Sequence, residues 1–206
     1  MLMPLITFKN FVNYLNELYN PIDGYIQYTP ELLKEASEQQ VALTYGEILP
    51  ESLAIIINKL DIKENDVFYD LGSGVGKVAL QFCLTTPIHK SYGIEALEIR
   101  HKIAEQAYID IKKKLPDLFI NKSLQSMHEN FLFCELENPS IIFMDSLCFS
   151  DDTIKQLSKV LNNIPTIKYV ISLKAIKLNH LKLKEKITLK FSWSQGNTTT
   201  VHIYAK

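Results

Sequence analysis

The run Asp70-Leu71-Gly72-Ser73-Gly74-Val75-Gly76-Lys77 places three glycines at alternate positions, behind an acidic residue and an apolar stretch. Glycine tolerates positive φ and lets main-chain N–H groups approach a ligand closely, so such a turn between strand and helix suits a small charged molecule. The G-x-G-x-x-G spacing of nicotinamide dinucleotide sites needs a small residue where Lys77 stands, and this turn does not follow it. Glu95 falls at the end of the next apolar segment, where a carboxylate can take both hydroxyls of a ribose. Asp70 can accept hydrogen bonds from an ammonium. Together these features are the pattern expected for S-adenosylmethionine (AdoMet), which carries a sulfonium and an amino-acid tail in place of a pyrophosphate.

Elements that would position these residues alternate from residue 50 onward. Pro50, followed by Leu53, Ile56, Ile57 and Leu60, reads as an amphipathic helix. Residues 67–70 read as a strand, 76–84 as a helix, 91–95 as a second strand and 98–115 as a long helix. A third strand is expected within 119–125. Ile141 to Met144 run without a polar break, as strands buried on both faces do. A helix over 151–161 and a strand over 168–173 follow. The runs 187–193 and 198–204 flank Ser194-Gln195-Gly196-Asn197, a hairpin signal. The expected fold is α/β: a doubly wound, mostly parallel seven-stranded sheet of the class I methyltransferase type, closed by an antiparallel hairpin. Residues 4–20 set Phe8, Phe11, Val12, Leu15 and Leu18 at helical spacing, Pro21, Asp23 and Gly24 break the chain, and a second helix is expected over 30–40. The expected division is a small N-terminal helical cap over 1–42 and a catalytic domain over 43–206.

Of 206 residues, 47% are apolar, enough for a full core, and the 22 basic and 23 acidic side chains leave a formal charge of -1. That balance gives no strong nucleic-acid signature. The basic runs Lys112-Lys113-Lys114 and Lys182 to Lys186 read as solvated faces of a helix and a loop. Cys83, Cys134 and Cys148 are far apart, so no zinc spacing and no metal site is expected, and they read as buried reduced thiols. There is no secretory signal and no apolar run near the ~20 residues of a membrane span, so a cytoplasmic protein with no membrane role is expected. His128 reads as a surface residue. The sequence sets no oligomeric state.

On these residues the chain resembles the non-SET histone-lysine methyltransferase family called disruptor of telomeric silencing (Dot-one), over about Leu43 to Tyr204. Thr44-Tyr45-Gly46-Glu47 is similar to that family's Tyr-Gly-Glu loop, Val67 to Gln81 to its cofactor signature, and Tyr92-Gly93-Ile94-Glu95 to its ribose-binding strand. Asn130-Phe131-Leu132 falls on its adenine-framing Asp-Phe-Leu. Ile141 to Phe149 falls on the strand facing the transferred methyl, and Phe191-Ser192-Trp193 on the Ser-Trp pair lining the lysine channel. The resemblance implies AdoMet as cofactor, held by Glu47, Asp70, Gly72, Gly74, Gly76, Lys77, Glu95, Asn130, Phe131 and Asp145. It implies Tyr45, Asp145 and Trp193 at the reacting centre, and a protein lysine side chain as acceptor.

The departures are local. Asp145-Ser146 stands where the family has two asparagines, Lys77 replaces a glutamine, Asn130 an aspartate and Ile48 a threonine, and Val201 falls near a channel tyrosine. No segment corresponds to the basic extension with which eukaryotic members grip nucleosomal DNA. A lysine nucleophile must be neutral, which an apolar channel favours. Phe131, Phe149 and Trp193 are candidate walls, with core packing the alternative for Phe149. A carboxylate at Asp145 would hold a cationic amine, orient its lone pair or accept its proton, or attract an amide or nucleobase amine. No prolines follow Asp145, which argues against the nucleobase subclass. Ser150 or Asp151 is the better cap for the next helix, leaving Asp145 free. The expected activity is methyl transfer to an amine, with a small-molecule or RNA methyltransferase, or a non-catalytic AdoMet-binding module, as alternatives.

Overall fold

A computed structural model describes residues 5–20 and 23–206, so Pro4 and the break at Pro21 lie outside the described residues. Among the described residues a single sheet carries seven strands. In spatial order they are β3 (Ser123–His128), β2 (Lys90–Glu95), β1 (Val67–Leu71), β4 (Ile141–Met144), β5 (Tyr169–Ser172), β7 (Thr199–Ala205) and β6 (Lys182–Leu189). The first five pair in parallel, and β7 runs antiparallel to both β5 and β6. This is the expected sheet with its closing antiparallel pair.

Every residue of β1 and β4 is buried, as in central strands covered on both faces; β4 is apolar throughout and β1 is interrupted only by Asp70 near its carboxyl end. On one face α1 (Phe8–Leu18), α3 (Pro50–Ile57), α4 (Lys77–Thr85) and α5 (Glu98–Lys114) share a core with the sheet. At its centre the rings of Phe68 and Phe82 stack 3.7 Å apart. Phe11 of α1 lies fully inside this same core. On the other face Leu157 and Leu161 of α6 (Asp151–Asn162) cover Tyr69, Ile142 and Met144. A third, small cluster joins Leu32 and Ala36 of α2 (Pro30–Gln39) to Leu97. Thr7, Thr29 and Ser150 cap the starts of α1, α2 and α6 with their hydroxyls, so the Ser150 alternative for α6 is the one realised.

Four local expectations are corrected. The third strand begins at Ser123, and residues 116–119 form a 3-10 turn with Ile120 75% exposed. Lys122 is turned inward there, and its ammonium caps the end of α4 by donating to the carbonyls of Cys83 (2.5 Å) and Thr86 (2.7 Å). The segment Lys182 to Lys186 is not a loop but the start of β6. Exposed lysines along the outer strand of a sheet discourage further strand pairing, and they mask the β period in the sequence. The chain from Lys190 to Thr198 then crosses without ladder pairing, so Trp193 lies off the strand. Of the thiols only Cys83 is buried; Cys134 is half-buried and Cys148 is exposed. No described helix is long and apolar enough to cross a membrane.

Candidate functional site

The strand order reverses direction between β1 and β4, and in open α/β sheets that switch point leaves a crevice at the carboxyl ends of the strands. The crevice here is a cavity of about 400 Å³, within the ~300–1,000 Å³ usual for small-molecule sites. Asp70 reaches it from β1, Glu95 from β2, and Asp145 from the residue after β4. The segment 40–48 roofs it, and Phe131, Phe143, Phe149 and Trp193 give it aromatic walls.

The turn after β1 is built by glycine. Gly72, Gly74 and Gly76 all have positive φ (80°, 55° and 83°), a conformation strained for any other residue. A Cβ on Gly74 would stand 2.6 Å from the Tyr45 ring, and one on Gly72 would stand 3.3 Å from Phe149. The two glycines therefore keep the cavity floor open to a ligand. Gly76 does not line the cavity. It starts α4 and accepts the closely packed Tyr108, whose hydroxyl donates to the Gly76 carbonyl at 2.7 Å.

Glu95 is held rigidly. Its Oε2 accepts the Gly74 amide at 2.8 Å and its Oε1 accepts the Leu97 amide at 3.0 Å. An ionised carboxylate has about four acceptor positions, so two remain for a ligand. Burial raises its pKa, against the opposing pull of the Leu97 and Gly74 amides and of Arg100. Asp70 is 2% exposed, and burial, then the neighbouring Asp145 and Glu95 carboxyls, hold its pKa well above the usual carboxylate range. Burial pushes Asp145 up to about 7, with the Leu147 amide opposing.

The roof is tied down by a network. Lys77 pairs with Glu47 at 2.7 Å, and the Tyr45 hydroxyl donates to Glu47 at 2.5 Å. Burial and Glu47 push the Tyr45 phenol upward, so it stays neutral. The Glu47 amide donates to Ser192 Oγ at 3.0 Å, linking the roof to the chain beside Trp193. Trp193 stacks on Phe191 and crosses Gly46, where any Cβ would overlap its ring.

All of the site residues expected from sequence except Gly76 meet on this one cavity. Two of the family departures have an internal explanation. Asn130 donates its amide to the Gln39 carbonyl (2.9 Å) and accepts from the Leu132 amide (3.0 Å), so both ends tie its loop down. Ser146 is fully buried and shares a hydrogen bond with Ser172 at 2.8 Å, joining the ends of β4 and β5. Val201 is buried in the main core against the helices and does not line the cavity, because its side of β7 faces inward. His128 stacks on His101 away from the cavity. Phe149 does line the cavity, as a wall.

Arg100 was not expected. It is 4% exposed, donates to the Leu43 carbonyl at 2.7 Å and lies 4.6 Å from the centre of the Tyr45 ring. A signal existed: Arg100, Ala104, Ala107, Tyr108 and Ile111 share the buried stripe of α5, and a charge on such a stripe requires a partner. Ser73 Oγ, Arg100 Nε and Asp145 Oδ2 are buried on the cavity with no hydrogen-bond partner in the protein.

Comparison with known proteins agrees with this architecture. An RNA methyltransferase from Salinibacter ruber, solved with S-adenosyl-L-homocysteine, superposes with a TM-score of 0.51 at 16% identity, covering 74% of this chain and 88% of that one. Magnesium protoporphyrin IX methyltransferase from Synechocystis PCC 6803, solved with bound SAM, gives 0.53 at 10% identity over 99% of both chains. The fold is that of the class I methyltransferases. The family profile described as histone methylation protein DOT1 matches residues 24–197. This chain belongs to the DOT1 family. A histone-lysine N-methyltransferase, H3 lysine-79 specific, from Kluyveromyces lactis is 28% identical over 145 residues, which is 65% of this chain and 24% of that relative. The chain thus spans about a quarter of that relative's length.

Proposed function

We propose that the chain is an AdoMet-dependent methyltransferase acting on a protein lysine. The observation that carries the proposal is the rigid Glu95 carboxylate, bridged by the Gly74 and Leu97 amides, beside buried Asp70 in a single aromatic-walled cavity. The donor set fits the cofactor. Asp70 is suited to its ammonium, the free lone pairs of Glu95 to its ribose hydroxyls, and Phe131 to the face of its adenine. The Lys77–Glu47 pair on the cavity wall offers opposite charges to an amino-acid end. Bound there, the cofactor supplies an electrophilic methyl on a sulfonium.

The chain's own contribution is alignment and exclusion of water. Phe143, Phe149 and Trp193 wall the acceptor side with apolar surface, which disfavours an ammonium and favours the neutral amine that can attack. Family membership and the names of the relatives support a lysine acceptor. Calorimetry with AdoMet and S-adenosylhomocysteine, followed by labelled-methyl transfer to histone and total protein, tests the reading. Binding of both compounds and label on lysine are expected. No binding of either compound, or label that enters RNA or a metabolite and never protein, would overturn it.

A further inference from the structure

The cavity holds more negative charge than its own cations offset. Four carboxyls face it, Glu47, Asp70, Glu95 and Asp145, against two cations, Lys77 and Arg100. Lys77 is paired with Glu47 and Arg100 offsets Glu95, which leaves Asp70 and Asp145. Among the described residues no ion pair reaches either of them. AdoMet carries an ammonium, a sulfonium and a carboxylate, hence one net positive charge, which leaves one buried carboxylate uncompensated. A buried charge without a partner is costly, and in the loaded site it is relieved either by a proton or by a second cation.

Resting on the AdoMet reading above, we propose that Asp145 receives the acceptor's ammonium and takes its proton. Asp145 directly follows β4 at the switch point, and its Oδ2 is buried on the cavity with no partner in the protein. Phe149 and Trp193 stand in the same wall. In the step proposed, one N–H bond of the ammonium breaks and the proton passes to the Asp145 carboxylate, leaving a neutral amine and a neutral carboxyl. The freed lone pair then forms the N–C bond as the methyl's bond to sulfur breaks, its electron pair staying on sulfur. The methylated amine is again cationic, and once the carboxyl has released its proton to water the two can pair.

Chemistry supports the assignment. A carboxyl titrating near the working pH is well matched to accept a proton, and burial holds Asp145 at about 7. The titratable groups that line the same cavity are Asp70 of β1, Glu95 of β2, Tyr45 and Glu47 of the roof, Lys77 of α4, Arg100 of α5 and Cys148 of its own loop. Lys77 and Arg100 are engaged as described, so neither neutralises Asp145.

Sinefungin tests this, because it carries an amine where AdoMet has its sulfonium methyl, whereas S-adenosylhomocysteine carries nothing there. By calorimetry at about pH 8.5, sinefungin should bind the unaltered protein about tenfold to a hundredfold more tightly than S-adenosylhomocysteine, the range of one charge-assisted hydrogen bond. Asp145→Asn should erase most of that preference while S-adenosylhomocysteine affinity stays within about threefold. Equal weakening of both ligands would mean that Asp145 serves the cofactor's own amino acid or the fold, and would overturn the proposal. So would an unchanged preference. If the variant does not fold, the unaltered protein decides alone: the preference should grow as pH rises through about 7, and a flat profile would overturn the proposal. Failure of S-adenosylhomocysteine to bind at all would instead remove the cofactor reading beneath it.

Discussion

Asp145→Asn should change stability as well as binding, and in a pH-dependent way. The carboxyl rises from its ordinary 3.8 to about 7 in the fold because burial disfavours the charged form. A group with a raised folded pKa contributes its stability when protonated. That contribution is complete below about 3.8 and is lost as pH climbs through about 7. Above that pH the ionised side chain costs the fold on the order of 4 kcal/mol at ~1.36 kcal/mol per pKa unit. Water entering the open cavity lessens this, so about 2–4 kcal/mol is the working figure.

Asparagine keeps the shape and never ionises. Its amide nitrogen replaces an oxygen that already lacks a protein partner, so it brings a fixed penalty of about 1–2 kcal/mol at every pH. Fixed penalties cancel when the two proteins are compared across pH. The stability of Asp145→Asn relative to the unaltered chain should therefore improve by about 2–3 kcal/mol between about pH 4.5 and about pH 8.5. For a chain of this size that is a relative rise of about 5–12 °C in melting temperature. Urea and thermal unfolding followed by circular dichroism over that range measure it. Parallel stability profiles for the two proteins would refute the reasoning, since they would mean that Asp145 is ionised alike in folded and unfolded chains.

Three further outcomes follow from the geometry. Glu95→Gln turns one amide N–H toward either the Gly74 or the Leu97 donor, so AdoMet affinity should fall at least about tenfold in calorimetry; unchanged affinity would remove Glu95 from the site. In Gly46→Ala the new methyl displaces the Trp193 ring, and Trp193 is the chain's one tryptophan. Its fluorescence should shift to the red and methyl transfer should drop, with S-adenosylhomocysteine binding within about threefold; an unmoved spectrum would contradict the packing. Arg100→Lys loses the planar stack on Tyr45 and the fork that reaches the Leu43 carbonyl. Amides of residues 40–45 should exchange faster with solvent and cofactor affinity should fall about tenfold, whereas unchanged exchange would show that the roof is held by other contacts.

The parts of this molecule that were legible in its sequence are those where one local rule acts alone. β1 and β4 are buried on both faces, so they read as apolar runs broken only by Asp70, and the glycines of the turn are required by their own φ values. β3 and β6 lie at the two edges of the sheet, where half the side chains meet water, and their polar residues hide the period. Arg100 was hidden for the opposite reason: its charge is answered by Tyr45, Leu43 and Glu95, which are distant in the chain, so no short-range pattern records the need.

The same distinction sorts the departures from the family pattern. Lys77 finds its partner in Glu47, Asn130 in Gln39 and Leu132, and Ser146 in Ser172. Each is closed within the protein and needs nothing further. Asp145 is not closed: it lines the cavity, one of its oxygens is buried without a protein donor, and its carboxyl adds to the cost of ionising Asp70. A buried carboxyl left unpartnered by the protein, in a residue that lines a ligand-sized cavity, is open to completion from outside the chain. Of the substitutions that distinguish this chain, Asp145 is therefore the one that a ligand, and a cationic one, would complete.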